Sequence, residues 1–351
     1  MKRKGNLWDK ITSYDNLLLA YKNARKGKRW QRNVKSFEKD VEGNLLKLQR
    51  QLKDKTFTTS EYKTKTIYEP KQRVIYILPF YPDRIVQHAL LQIISPIWDK
   101  LFIHDSYACR VGKGMHQASK KIMKFISKYD YCLKCDISKF YPSINHDVLI
   151  QIIEKKIKCK DTLWLLKDII NSFEGDTNTP IGNYTSQWFG NLYMNELDYY
   201  IKHTLKCKFY MRYCDDFIIL NNDKKQLFEI KEKINTFIDS KLKLKFSKWS
   251  IFKTNQGIDF LGYRHFKNKV LLRKSTAKRV QKRFKKLPIL FNLNKITIEQ
   301  FGSSIASTNG WIKWSNSHNL SINIKLQHLR GEYERISKIY KQQTRCTKLV
   351  A

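Results

Sequence analysis

Acidic residues are scarce in this sequence. Asp and Glu number 31 against 68 Lys and Arg over 351 residues, a formal net charge of +37. So charged a chain repels itself when compact, and the excess answers to a polyanionic partner. Nucleic acid comes before a membrane surface, because neutralised phosphates release counterions. Long apolar runs are missing too; none approaches the roughly 20 residues needed to span a bilayer. No apolar h-region follows the basic start Met1-Lys2-Arg3-Lys4-Gly5, so no secretory leader is expected. Internal repeats and low-complexity tracts are absent. The seven cysteines are odd in number and scattered, which suits free thiols in a reducing compartment. Cys132 and Cys135 form one C-x-x-C, but no second pair of zinc ligands at similar spacing accompanies them. Within the alternating run Tyr131–Cys135 they read as core thiols.

What is present suffices for a packed core: 42% of residues are hydrophobic and 13% aromatic. The length predicts two or three packed units. Residues 8–30 and 35–53 have the spacing of two basic amphipathic helices, with Asp15-Asn16 as a cap. Residues 64–78 predict a strand pair about a turn at Glu69-Pro70-Lys71-Gln72. A helix from Asp83 through Val86, Ala89, Leu90 and Ile93 is expected to stop near Ser95-Pro96. Residues 131–137 read as a buried strand. Ser143-Ile144-Asn145 caps a helix from His146 to about Lys156, and further helices follow near 161–173 and 186–205. Phe209–Tyr213 and Phe217–Leu220 flank Cys214-Asp215-Asp216, the pattern of a hairpin with acids at its tip. A helix over 224–240, short strands at 258–263 and 270–272, and a basic helix from about Lys274 complete the reading. The mixture predicts an α+β fold, helices packed on an antiparallel sheet.

In so basic a chain, acids beside apolar strands need a reason. Asp136 follows the apolar run 131–135, and Asp215 and Asp216 sit between two apolar strands. Grouped carboxylates repel one another, and burial raises their pKa values. A divalent cation removes that conflict, and magnesium favours carboxylates together with substrate phosphates. Two such ions can activate a 3′-hydroxyl and stabilise a leaving pyrophosphate. Alone, an Asp-Asp pair is most often a turn. The apolar hairpin and the third acid upstream favour the metal reading here.

At these residues the sequence resembles a reverse transcriptase. Tyr213-Cys214-Asp215-Asp216 is similar to the family's Tyr-x-Asp-Asp motif, and Asp136 with Tyr141 to its first palm motif. The resemblance implies a right-hand polymerase: N-terminal helices and fingers over 1–130, a first palm segment at 131–150, fingers and palm helices over 151–205, the remaining palm at 206–265 and a thumb at 266–351. It implies two Mg²⁺ ions, with Mn²⁺ as a substitute, held by Asp136, Asp215, Asp216 and the backbone carbonyl of Ile137. It implies that Tyr141 packs under the incoming sugar and excludes a 2′-hydroxyl. Lys71-Gln72-Arg73 resembles the fingers strand that holds the triphosphate of a dNTP, where cations neutralise phosphate charge. The run Ser106–Gly114, with Arg110, Gly112, Lys113 and Gly114, resembles a template-contacting loop. Lys248, after Ser247, is expected near the pyrophosphate as a general acid. Phe260, Leu261, Gly262 and Tyr263 resemble the primer grip. Lys278, Arg279, Lys282 and Arg283 lie on an expected thumb helix tracking the RNA–cDNA duplex, with Ser275-Thr276 as its start.

One motif narrows the type. Many bacterial relatives carry Gln-Gly and Ser-Pro where this chain reads Ile181-Gly182-Asn183-Tyr184-Thr185-Ser186-Gln187. That form resembles reverse transcriptases of diversity-generating retroelements, as do Asn6–Lys10, Tyr81–Gln87, Gly310-Trp311 and Asn319-Leu320. The resemblance implies copying of a template-repeat RNA into cDNA with errors opposite adenines. It also implies a pentameric basic accessory protein and a bacterial or phage-encoded enzyme of the cytoplasm, with no membrane partner. Ile181 and Gln187 would border the incoming nucleotide. An Ile that replaces a hydrogen-bonding Gln narrows the gap between right and wrong nucleotides; losing roughly 1–3 kcal/mol raises errors about 10–100-fold. The stretch after Tyr263 is too short for a thumb, an RNase H and an endonuclease together, since compact domains need about 50 residues or more each. Template removal and integration are therefore expected from elsewhere. Two other readings stay open: an antiphage-defence or retron-like reverse transcriptase, and an RNA-binding scaffold with an inactive polymerase fold.

Overall fold

Ser13 divides the first amphipathic stretch. Its backbone is extended and its side chain accepts the Asn16 N–H, so α1 (Trp8–Thr12) ends there and α2 (Tyr14–Ala24) begins. The computed structural model describes residues 2–68 and 72–349. Asn16 is not the cap. Its amide donates to the Ile11 and Ala89 carbonyls at 2.9 and 3.0 Å. The second stretch also divides, into α3 (Arg32–Phe37) and α4 (Val41–Lys53), because the Asp40 carboxylate accepts the Gly43 N–H at 2.9 Å and restarts the helix.

Strands β1 (Lys63–Ile67) and β2 (Arg73–Ile77) pair antiparallel with Ile67 opposite Arg73. Glu69, Pro70 and Lys71 lie outside the described residues. Helix α5 (Ile85–Asp99) does not stop at Ser95-Pro96. Pro96 forfeits one helical hydrogen bond, but Ile94 and Trp98 on either side are fully buried and keep the last turn in the core. Helix α6 (Met115–Phe125) follows.

The central sheet is four-stranded, in the order β4-β5-β3-β6. After β3 (Tyr131–Ile137) come α7 (Phe140–Ser143), α8 (His146–Glu154), α9 (Lys160–Asn171) and α10 (Tyr184–Tyr199). Then come β4 (Phe209–Tyr213), β5 (Asp216–Asn221), α11 (Lys224–Leu242) and β6 (Phe246–Lys253). Asn145 caps α8 as expected, accepting the Val148 N–H at 3.1 Å. Strands β4 and β5 are antiparallel. Bonds from Ser138 N–H to Lys245 O and from Thr254 N–H to Asp130 O, both 2.8 Å, bracket β3 and β6 and set them antiparallel. Cys132, Leu133, Cys135 and Ile137 on β3 are buried with Phe217, Ile218 and Ile219 of β5, so the C-x-x-C thiols are core residues. Strand β6 is an edge with mostly exposed side chains, which is why no alternation announced it.

The chain divides into two compact units: residues up to 114 with 133–251, and 115–132 with the chain from 252 onward. The second unit holds α6 and the antiparallel strands β7 (Ile258–Phe260), β8 (Tyr263–His265) and β9 (Val270–Leu272). The run 258–263 is two strands, because Leu261 and Gly262, at φ +61° and +81°, form a two-residue turn between paired Phe260 and Tyr263. Helices α12 (Lys274–Asn292), α13 (Ile298–Trp314), α14 (His318–Asn323) and α15 (Leu326–Leu349) complete it. Helix α12 begins one residue before the expected Ser275-Thr276 start. Thr276 is buried within it, and the entry is set by Arg273, which donates its N–H to Gly262 O at 3.1 Å and pairs with Asp259 at 2.7 Å. Val280, Phe284 and Leu287 form the buried stripe of α12, against Phe301, Ile305 and Leu329. No described helix is long and apolar enough to cross a membrane.

Candidate active site

The β4–β5 hairpin closes with two residues, Cys214 and Asp215, between paired Tyr213 and Asp216. Cys214 has φ +56°, the left-handed conformation such turns require. Because β3 lies next to β5, Asp136 near the end of β3 is brought beside the hairpin acids. Burial raises the pKa of Asp215, and repulsion from Asp136 adds to it, against attraction from Arg73. Asp216 is pushed up to about 7, first by burial and then by Asp136 and Asp215, with Lys134 opposing.

Each acid has its own neighbourhood. The Ser247 hydroxyl donates to Asp136 Oδ2 at 2.6 Å, and Lys134 Nζ lies 3.4 Å from Asp216 Oδ2. Asp216 Oδ1 is buried without a hydrogen-bond partner. Among the described residues no three His, Cys, Asp or Glu side chains converge into a ready-made metal cage. Even so, the donor set fits a hard divalent cation. All the candidate ligands are oxygens, their mutual repulsion calls for positive charge, and one buried carboxylate oxygen has no partner.

The expected nucleotide-binding residues fall around this corner unevenly. Arg73 is exposed on β2 and acts electrostatically on Asp215. Tyr141 is half-buried, its ring centroid 5.2 Å from that of Phe140. A Cβ on Gly190 would meet both rings at 3.0–3.2 Å, so that glycine makes room for them. Burial raises the Tyr141 hydroxyl pKa well above normal, with Cys214, Cys109 and Asp215 adding. The Ile181 carbonyl accepts the Tyr76 N–H at 2.8 Å, which fastens the Ile181-Gly182 segment to β2. Gln187 is exposed on α10, and Lys71 falls outside the described residues. Ile137 ends β3 with its side chain buried. Lys248 is exposed on β6.

The expected template and primer residues divide between surface and interior. Arg110 is taken up within its own loop: its guanidinium bonds Asp99 Oδ1 at 2.6 Å and the Ile103 and Ser106 carbonyls at 2.7 and 3.1 Å. Lys113 reaches the His104 carbonyl at 3.0 Å. Gly112 and Gly114 have φ of +71° and +116° with open space around them, which leaves the loop backbone approachable. In the second unit, Phe260 and Tyr263 are core residues, and the Tyr263 ring lies 5.3 Å from Trp311. Only the turn Leu261-Gly262 between them is half-exposed. Lys278, Arg279, Lys282 and Arg283 are exposed on α12. Lys278, Lys282 and Lys285 line, with Lys325, an open groove of about 630 Å³.

Sequence reasoning missed Arg212 and Asp198, and it named Ser247 only as the neighbour of Lys248, not as a partner of Asp136. Arg212 and Asp198 are fully buried in an ion pair of 2.6 Å directly before the hairpin turn. The signal available was a lone charge inside the apolar run 209–213, a position where charges occur only when paired.

A family model described as Reverse transcriptase (RNA-dependent DNA polymerase) matches residues 62–265, more than half the chain, with all three carboxylates inside the match. The chain belongs to the reverse transcriptase family. This reverse transcriptase is 25% identical over 234 residues to Protein YkfC of Escherichia coli (strain K12), covering 53% of the chain and 61% of YkfC. It is 24% identical over 297 residues to the group II intron-encoded protein LtrA of Lactococcus lactis subsp. cremoris, covering 63% of the chain and 49% of LtrA. The chain thus spans about half to three-fifths of the length of these relatives. Among solved structures, apo telomerase from Candida tropicalis aligns with TM-score 0.52 and 15% identity over 80% of this chain and 58% of its own. That likeness is one of fold, and with the family match it makes the α+β architecture a right-hand polymerase fold.

Proposed function

We propose that this reverse transcriptase is an active RNA-directed DNA polymerase that extends a primer by two-metal phosphoryl transfer. The observation that carries the reading is the placement of Asp136 beside Asp215 and Asp216, on neighbouring strands of one sheet, with Asp216 Oδ1 buried and unpartnered. Asp136, Asp215, Asp216 and the Ile137 carbonyl would hold two Mg²⁺ ions, or Mn²⁺ in their place. Bound there, the ions supply activation of the primer 3′-hydroxyl and charge neutralisation on the pyrophosphate. Arg73, electrostatically coupled to Asp215, draws the dNTP phosphates toward the acids. Tyr141, packed against Phe140 in the room left by Gly190, lies under the sugar and excludes a 2′-hydroxyl. The turn Leu261-Gly262 and the cationic face of α12 hold the RNA–cDNA duplex.

Primer extension on poly(rA)/oligo(dT) with Mg²⁺ tests this. Wild type extends, and Asp215→Ala loses about 1,000-fold or more in rate with an unchanged melting temperature, because the lost carboxylate acts on the transition state. Equal extension by both proteins would remove the carboxylates from the chemistry.

We further infer that the enzyme serves a diversity-generating retroelement, copying a template-repeat RNA with a pentameric basic accessory protein. Support comes from the Ile181–Gln187 form and from the fastening of Ile181 to the strand that carries Arg73. The similarity to LtrA favours a second reading, an intron-type reverse transcriptase. Neighbouring DNA decides between them. Paired repeats that differ only at adenines support the first, and their absence supports the second. On the same template class, Ile181→Gln is expected to lower adenine-directed misincorporation about 10-fold or more; an unchanged error spectrum removes Ile181 from fidelity.

A further inference from the structure

Arg212 stands fully buried behind the catalytic turn. A guanidinium has five N–H donors in a fixed planar fork, and here all five are engaged. Nε donates to Asp198 Oδ1 at 2.7 Å and Nη2 to Asp198 Oδ2 at 2.6 Å. The other Nη2 donor reaches Ser106 Oγ at 3.1 Å. Nη1 donates to Asn191 Oδ1 at 3.1 Å and to the Cys214 carbonyl at 2.9 Å.

Neutralising a buried charge requires only Asp198, and an apolar pair of similar volume would stabilise the fold at least as well. The remaining three bonds go elsewhere. One holds the peptide immediately before Asp215, and one holds the loop that carries Arg110 and Lys113. The backbone of Arg212 strengthens the second tie. Its N–H donates to Asp105 O, and its carbonyl accepts the Tyr107 N–H, both at 3.0 Å. Asn191 completes the ring by donating its amide to Ala108 O at 2.9 Å. The fork itself is fixed from below, since the Tyr210 hydroxyl also donates to Asp198 Oδ1 at 2.6 Å.

We propose that Arg212 is a positioning residue: its bond to the Cys214 carbonyl sets the peptide plane from which Asp215 projects, and its bond to Ser106 locks the 103–114 loop to the same point. Cys214 holds a left-handed conformation at φ +56°. A two-residue turn with a non-glycine residue there needs its carbonyl anchored to stay in one state. Releasing that carbonyl lets the peptide rotate and carries the Asp215 carboxylate with it. Displacements of about 1 Å at a reacting centre cost about 100-fold in rate. Lys cannot replace Arg, because an ammonium has three donors and no plane.

The role rests on the polymerase reading above, so the test has one readout that needs activity and one that does not. Three full-length variants are compared with wild type. Arg212→Lys keeps the charge opposite Asp198. The double variant Arg212→Met/Asp198→Leu removes both charges together. Ser106→Ala removes only the side-chain part of the loop tie. Amide hydrogen exchange of peptides covering 213–216 and 103–114 is measured alongside melting temperature, and kcat and KM for dTTP on poly(rA)/oligo(dT). The expected result for Arg212→Lys and for the double variant is exchange at 213–216 at least about 10-fold faster, with the rest of the sheet unchanged. Their kcat falls about 10- to 100-fold, and the KM for dTTP stays within about 3-fold. Ser106→Ala speeds exchange at 103–114 and, to a smaller extent, at 213–216. Folded variants with wild-type exchange at 213–216 overturn the proposal, as does a loss of kcat that follows a uniform rise in exchange across the first unit. Unfolding of Arg212→Lys and of the double variant alike, with Ser106→Ala showing wild-type exchange in both peptides, also overturns it. A wild type that does not extend primers sinks the polymerase reading, while the exchange data still decide the clamp.

Discussion

At Gly182 the backbone has φ +128° and leans on β2 so closely that a Cβ would overlap the Tyr76 carbonyl oxygen. Gly182→Ala is therefore strained twice, in conformation and in contact. Its expected cost is about 1–3 kcal/mol, read as a lowered urea midpoint together with slower primer extension. Tyr141 is bounded differently, by the Phe140 ring and the missing side chain of Gly190. Its truncation opens space without straining the backbone. Tyr141→Ala is expected to fold and to raise ribonucleotide relative to deoxynucleotide incorporation by about 10-fold or more, measured by competing rNTP and dNTP in one extension reaction. An unchanged ratio would place Tyr141 in the core and not at the sugar.

Among the elements, the β7–β9 sheet carries a pH dependence. His265 on β8 is fully buried; its Nδ1–H donates to Ile258 O at 3.2 Å, and its Nε2 accepts from the Ser119 hydroxyl at 2.8 Å. Burial lowers its pKa from 6.5 to about 4, with the backbone bond and Asp259 opposing. The unfolded chain therefore takes up the proton first. The stabilisation is complete above about pH 6.5 and fades as pH falls toward 4, by up to about 3 kcal/mol. Urea midpoints at pH 7 and pH 5 should differ more for wild type than for His265→Asn.

Elements also show where the sequence was readable. Strand β3, the acid-tipped hairpin, the Asn145 cap and the β1–β2 pair all have local signals: alternation, a capping side chain, a turn former. Four outcomes depend on partners distant in sequence. Helix α5 passes Pro96 because Trp98, beyond it, is buried with its ring 6.2 Å from that of Phe189. Asn16 leaves the cap to Ser13 because Ala89 offers a carbonyl. Strand β6 forms at an exposed edge because β3 supplies its hydrogen bonds. Phe260 and Tyr263, expected at the primer, are core because Trp311 packs on Tyr263. The three carboxylates stood out in the sequence because acids are rare in this chain. Arg212 was not, because one Arg among so many bases looks ordinary until its burial is known.

For the whole molecule, the net charge of +37 predicts binding to an RNA–DNA duplex that weakens steeply with salt. Lys278, Lys282 and Lys285 are exposed along one groove, so replacing all three with Ala should leave the melting temperature unchanged. The slope of log K against log salt should become shallower by about 2–3, one phosphate contact for each lysine. An unchanged slope would move the duplex off that face of α12.

The second unit is assembled from two stretches of chain separated by residues 133–251. Ser119 finds His265 across 146 residues of sequence and Trp314 across 195. During synthesis, at about 5–20 residues per second, helix α6 emerges from the ribosome on the order of 10 s before its partners exist. Until then its apolar face has nowhere native to go. The C-terminal segment must therefore be made before α6 can bury its apolar face.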